Sequence, residues 1–271
     1  MSIRLENKFN QLKSEKRGGL VTFITAGDPD PETSRSILNS LANSGADIIE
    51  LGMPFSDPVA DGPAIQLSSL RAINAGTTLA GIIEMVGEFR KTDTDTPVVL
   101  MGYYNPVYCY GVDKFINDCT SAGVDGLIIV DLPPEENDEL YQPASKAQID
   151  LIHLITPTTD QERLQVLLEK SSGFLYYVSI AGITGTDSAA ENVIKQRVEF
   201  IRNSTDLPVA VGFGIKTGQD VKTMTKYADA AVVGSTIVQI IESNQNAQAQ
   251  TLVGLVEEKV KELASGIDTS G

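Results

Sequence analysis

Short apolar runs rich in β-branched residues recur along the chain, at 20–26, 47–53, 97–103, 126–131, 151–156, 174–180, 208–215 and 230–237. Each has the length and composition of a buried parallel strand. The stretches between them carry apolar residues at helical spacing, among them 31–44, 78–91, 134–146, 160–171 and 218–227. A faint internal repeat marks the turns back into strands. Asp47, Asp125, Asp150 and Asp229 each stand where a helical stretch gives way to an apolar run.

Eight strand-helix units in a chain of 271 residues predict an α/β fold of the (β/α)8 TIM barrel type. The alternative is an open doubly wound sheet, which wants a Gly-rich turn such as G-x-G-x-x-G after the first strand. Here the first strand ends Thr25-Ala26-Gly27-Asp28-Pro29, which lacks that pattern. Before the first strand, Leu5, Phe9 and Leu12 fall at helical spacing and predict an amphipathic N-terminal helix over about residues 1–16. No linker or low-complexity stretch interrupts the pattern, so one domain over 1–271 is expected, with a small polar tail that frays after about residue 265.

Composition narrows the partners. Hydrophobic residues make up 42%, enough for a sizeable core, and 21 basic against 36 acidic residues leave a net charge of −15. An acidic surface argues against nucleic acid and anionic membranes as main partners. It permits a phosphorylated ligand, because backbone amides hold phosphate without Lys or Arg. Cys109 and Cys119 form no disulfide framework, and no apolar run approaches the ~18 residues of a membrane span. The run 20–24 is too short for a secretion signal, so a soluble cytoplasmic protein is expected.

The out-of-place residue is Glu50, a carboxylate inside the apolar run Ile48-Ile49-Glu50-Leu51-Gly52-Met53. Period-two alternation puts Ile48, Glu50 and Gly52 on one face, and Ile49, Leu51 and Met53 on the other. The second face is wholly apolar and suits the helix layer, so Glu50 points into the barrel. No predicted strand contains Lys or Arg, which removes an ion pair as the reason for Glu50 and removes the lysine of a Schiff-base aldolase. A desolvated carboxyl there gains a raised pKa and suits proton transfer near neutrality. The bland alternative is a buried Glu satisfied by backbone or water. Asp61 follows in the turn-rich loop leaving the same strand. Alone it reads as an ordinary turn residue before Gly62-Pro63, and the pairing with Glu50 raises its standing.

Other polar residues at the predicted strand ends are Asp28, Tyr103, Asn105, Asp131, Thr156, Ser179 and Ser235. Glycines at the ends of strands six to eight (Gly182 and Gly185, Gly212 and Gly214, Gly234) suit close approach of backbone amides to an anion, where barrels often bind phosphate. Plain turn glycines are the alternative. Metal chemistry has little support: the one histidine, His153, lies mid-strand and reads as a packed core residue, and no ligand cluster for zinc appears.

The run from Glu50-Leu51-Gly52-Met53-Pro54-Phe55-Ser56-Asp57-Pro58-Val59-Ala60-Asp61-Gly62-Pro63 to Gln66 resembles the signature of the tryptophan synthase α-subunit family. Further matching segments are Phe23 to Pro29, Met101 to Pro106, Gly182 to Gly185, Gly212 to Ile215 and Gly234-Ser235, so the resemblance covers nearly the whole chain. It implies a (β/α)8 barrel with an extra N-terminal helix. It implies a lyase that splits indole-3-glycerol phosphate into indole and glyceraldehyde 3-phosphate with no cofactor in this chain. The implied partner is a pyridoxal-phosphate β subunit in an α2β2 tetramer. By the same resemblance Glu50 moves the protons and Asp61 holds the indole N–H. Phe23, Ile65, Tyr103 and Phe213 line the indole pocket, Tyr176 supports the carboxylates, Thr184 sits on a closing loop, and Gly185, Gly214, Gly234 and Ser235 hold the phosphate. Two positions depart from the family pattern. Met53 replaces commoner aliphatics, and Ile180 stands where some members carry Arg. A metal-dependent sugar-phosphate epimerase is a poor rival, since one histidine is too few. The other rivals are a non-catalytic activating subunit and a lyase working without a β partner.

Overall fold

The computed structural model describes residues 2–179, 188–212 and 214–267. Its strands are β1 (Gly19–Thr25), β2 (Ile48–Gly52), β3 (Val98–Gly102), β4 (Gly126–Ile129), β5 (Asp150–Leu151), β6 (Leu154–Ile155), β7 (Leu175–Val178), β8 (Val209–Gly212) and β9 (Ala230–Val233). All pair in parallel, in the order β5-β4-β3-β2-β1-β9-β8-β7-β6. The two end strands are consecutive pieces of one segment, so the sheet closes on itself. Ile152 N–H bonds the Leu127 carbonyl of β4, and the next carbonyl, of His153, accepts from Tyr176 of β7. The result is a (β/α)8 barrel whose fifth staves are two short strands where the sequence predicted one continuous strand over 151–156.

Two apolar layers follow from strand alternation. Ile49, Leu51 and Met53 pack outward with the helices, in a cluster that also holds Leu20, Ile24, Val98 and Leu100. Ile48 faces inward with Val21, Val99, Ile128, Ile152, Phe174, Ala210, Ala230 and Val232. Leu5, Phe9 and Leu12 of the N-terminal helix (Ile3–Ser14) join this inner cluster, and Phe9 stacks 5.7 Å from Phe174. That helix therefore plugs the end of the barrel where the strands begin, and leaves the other end for ligands.

The repeated aspartates have a common job. Asp47, Asp125 and Asp229 each donate their backbone N–H to a carbonyl at the start of the paired strand, at Leu20, Val98 and Val209. Each then accepts that residue's N–H on its carboxylate at 2.8–3.0 Å. Asp150 accepts from the Ser2 N–H at 2.8 Å. An Asp at a strand entry thus satisfies an amide that would otherwise begin the ladder unpaired. Ile267 is buried near the end of the chain, and residues 268–271 lie outside the described ones. Among the described residues, no helix is long and apolar enough to cross a membrane.

Candidate active site

β2 carries Glu50 to the centre of the barrel, between Phe23 of β1 and Val99 of β3 in the ladder. It is 1% exposed, and its Oε1 has no hydrogen-bond partner. Burial alone pushes its pKa up to about 8, because nothing nearby compensates the charged form. Leu154, Met101, Val130 and Val232 supply the apolar surroundings, in a cavity of about 250 Å3 that Glu50 lines.

Asp61 lines the same cavity from the loop after β2. Tyr103 holds it in place. The tyrosine hydroxyl donates to Asp61 Oδ2 at 3.0 Å and accepts from the Ala60 N–H at 2.9 Å. Its ring stacks on Phe55 at 5.3 Å, so one side chain grips both ends of the loop. Desolvation raises the Asp61 pKa, and the Tyr103 hydrogen bond opposes the rise. The following helix, Pro63–Asn74, is anchored to the end of β1. Thr25 and Ser68 share a hydroxyl hydrogen bond of 2.6 Å, and Arg71 binds both Asp28 oxygens at 2.8 Å.

Glycines make the room that the aromatic residues fill. A Cβ on Gly52 would lie 2.6 Å from the Phe23 ring, and one on Gly212 would lie 2.4 Å from the Tyr176 hydroxyl. Phe23, Ile65 and Tyr176 all line the main cavity. Tyr103 borders a smaller adjoining space with Phe23, Asp61 and Ile65. Tyr176 is half-buried, with its pKa raised by desolvation and by Glu50, yet no hydrogen bond joins the two.

From the ends of β8 and β9, the cavity is lined by Gly214, Gly234, Ser235 and Thr236. Gly214 has φ +72°, a conformation that suits glycine. Gly234 precedes the helix Ser235–Ser243, and its carbonyl takes the N–H groups of Ile237 and Val238. The N–H groups of Ser235 and Thr236 thus lie in the first turn, where no intrahelical acceptor exists, and suit an anion. Thr236 Oγ1 ties this turn to the Ile215 carbonyl at 3.1 Å.

Other polar residues from the predicted strand ends serve structure. Asp28 pairs with Arg71, and Asp131 accepts the Tyr104 N–H at the start of a helix. Asn105 lies exposed beside Cys109, Thr156 bonds Thr158 and Thr159 within a turn, and Ser179 is buried. His153 is held between Ser171 and Asn137, with burial pulling its pKa down to about 4, as a packed neutral histidine. Thr184, Gly185, Phe213 and Ile180 lie outside the described residues. Among the described residues, no group of three His, Cys, Asp or Glu side chains is placed to hold a metal ion.

Sequence reasoning missed Met101, Val130, Leu154, Val178, Lys216, Val232, Thr236 and Gln239, all of which line the cavity. The alternation that aimed Glu50 inward also aims Met101, Leu154 and Val232 inward when applied to their own strands. Lys216 and Gln239 gave no such signal.

Comparisons with known proteins bear on the same site. The profile of the family described as Tryptophan synthase alpha chain matches residues 9–268. The tryptophan synthase subunit alpha of Legionella pneumophila str. Paris is 37% identical over 98% of both chains, with a TM-score of 0.90. A structure from Aquifex aeolicus VF5 is 35% identical over 98% of this chain and 99% of the other, with a TM-score of 0.88. A Mycobacterium tuberculosis tryptophan synthase structure is 32% identical over 98% of both chains, with a TM-score of 0.86.

Proposed function

The chain belongs to the tryptophan synthase alpha chain family, and from that premise we propose that Glu50 and Asp61 carry its chemistry. The family's reaction is the retro-aldol cleavage of indole-3-glycerol phosphate to indole and glyceraldehyde 3-phosphate. Its members work beside a β subunit, which receives the indole and makes tryptophan from serine. The observation that carries the site assignment is the buried Glu50 carboxyl, unpartnered at Oε1 and facing the same cavity as Asp61.

The cleavage needs a proton on indole C3 as the bond from C3 to the glycerol chain breaks. It also needs the adjacent glycerol hydroxyl to lose its proton as that carbon becomes an aldehyde. A carboxyl with a pKa near 8 is largely protonated at neutral pH and is a ready donor to C3. Once it has donated, the carboxylate accepts the hydroxyl proton, so Glu50 ends the cycle in its starting state. Asp61, held in place by the Tyr103 hydrogen bond, accepts the indole N–H and as the carboxylate stabilises positive charge developing on the ring. Phe23, Ile65 and Tyr176 enclose the indole. Backbone amides at Gly214, Gly234 and Ser235 receive the phosphate, with Gly185 contributing by family resemblance. By the same resemblance Phe213 completes the indole pocket and Thr184 closes over Asp61. We assign no cofactor to this chain; pyridoxal phosphate belongs to the β partner. A cytoplasmic location accords with this reading.

The test is direct. The purified chain is incubated with indole-3-glycerol phosphate, with and without a β subunit, and indole is followed. Release of indole supports the reading, and no indole under either condition overturns it.

A further inference from the structure

Three residues with ionisable side chains line the cavity among the described residues: Glu50, Asp61 and Lys216. The two carboxylates belong to β2 and its loop. Lys216 belongs to the segment after β8, beside Gly214 and Ile215, and lines the cavity together with Gly234 and Ser235. The cavity therefore has its carboxyl groups on β2 and its loop, and its basic residue on the segment after β8.

Lys216 is fixed at its root and free at its tip. Asp220 accepts the N–H groups of Lys216 and Thr217, both at 2.9 Å, within the capping box of the helix Gly218–Thr225. The capping box pins the backbone, and occupies the carboxylate nearest in sequence with main-chain amides. Among the described residues, the Lys216 ammonium makes no ion pair or side-chain hydrogen bond, and the side chain is exposed. The protein around it carries a net charge of −15, which opposes the approach of any anion.

We propose that Lys216 is a further substrate-binding residue, whose ammonium pairs with the substrate phosphate at the cavity mouth and sets which end of the substrate faces Glu50. The proposal rests on the lyase reading above. Backbone amides alone recognise an anion by geometry, whereas a side-chain ammonium adds a point charge that a phosphate monoester meets on entry. A cation after β8 and carboxyl groups on β2 and its loop thus give the two ends of the substrate different neighbours.

The test compares wild type, Lys216→Met and Lys216→Arg. The readouts are KM for indole-3-glycerol phosphate and the calorimetric affinities of glycerol 3-phosphate and of indole. At low salt, Lys216→Met raises KM about tenfold, the scale of one charge-assisted contact. It weakens glycerol 3-phosphate equally and leaves indole binding as in wild type. Lys216→Arg restores most of the loss. At roughly 1 M salt, where the Debye length is about 3 Å, wild type and Lys216→Met converge. The proposal is overturned by KM and glycerol 3-phosphate affinity within about twofold of wild type at low salt, the range of an idle surface lysine. It is equally overturned by an equal loss of indole binding, or by a loss confined to kcat. A wild type that binds glycerol 3-phosphate but makes no indole sinks the lyase reading alone, because the binding comparison still reports on Lys216.

Discussion

Replacing Glu50 by Gln should stabilise the protein at alkaline pH while crippling it as a catalyst. In the unfolded chain a glutamate titrates near 4.5, and in the barrel burial pushes Glu50 up to about 8. Between those values the folded state holds a proton that the unfolded state has released. Stability present at pH 4.5 and below is therefore lost as pH climbs toward 8, and above 8 the loss is complete. At about 1.4 kcal/mol per pH unit, the gap amounts to roughly 5 kcal/mol. That is a large share of the ~5–15 kcal/mol that holds a typical domain folded. Glutamine keeps the shape and remains neutral throughout. Urea unfolding of wild type and Glu50→Gln at intervals from pH 5 to pH 9 isolates the effect, since every other titration cancels in the difference. Near pH 5 the two should agree to within ~1 kcal/mol, the usual scale of a near-isosteric change. By pH 9 the variant should lead by several kcal/mol. A difference that stays flat across this range would refute the claim that Glu50 is desolvated and proton-bearing in the free chain.

Three further outcomes follow from the same geometry. In steady-state assays of indole formation, kcat/KM should fall as pH rises through about 8, because the first step needs protonated Glu50; a rate still climbing beyond that pH would contradict it. Tyr103→Phe removes the hydrogen bond that opposes the desolvation-driven rise of the Asp61 pKa, so the acidic limb of the same profile should move to higher pH and kcat/KM should fall about tenfold. An unchanged limb and rate would detach Tyr103 from Asp61. Asp125→Ala strips the buried carboxylate that binds Arg90 at 2.7 Å, Arg4 at 3.0 Å and the Val98 N–H at 2.9 Å. Chemical denaturation should show a loss of roughly 3–5 kcal/mol, the cost of breaking a buried pair, and a loss under ~1 kcal/mol would deny Asp125 its clamping role.

Much of the site was legible because a strand imposes a period of two. Ile49, Leu51 and Met53 form an apolar face that had to meet helices, so Glu50 had to face inward, and the two core clusters divide along that line. The recurring Asp at strand entries was visible as a repeat, but its task was not, since a carboxylate capturing the first amide of a neighbouring strand is a relation across the sheet. The break in the fifth strand was hidden for a similar reason. Ile152 and His153 include no Gly or Pro to mark a break, and only pairing to β4 on one side and β7 on the other divides the segment. Tyr103 borders the space beside Phe23, Asp61 and Ile65, and its hydroxyl also braces the Asp61 loop, a contact between residues 42 positions apart that no local pattern announces. Lys216 had no periodic signature, because a loop residue acquires its neighbours from the closure of the barrel.

The central claim is that one buried carboxyl moves the protons of the cleavage. The most direct measurement is the rate of indole release from indole-3-glycerol phosphate by wild type and by folded Glu50→Gln, each with the β subunit present. A fall in kcat of at least ~10²-fold is expected, the usual cost of losing a general acid-base group. A variant that turns over at close to the wild-type rate would remove Glu50 from the mechanism.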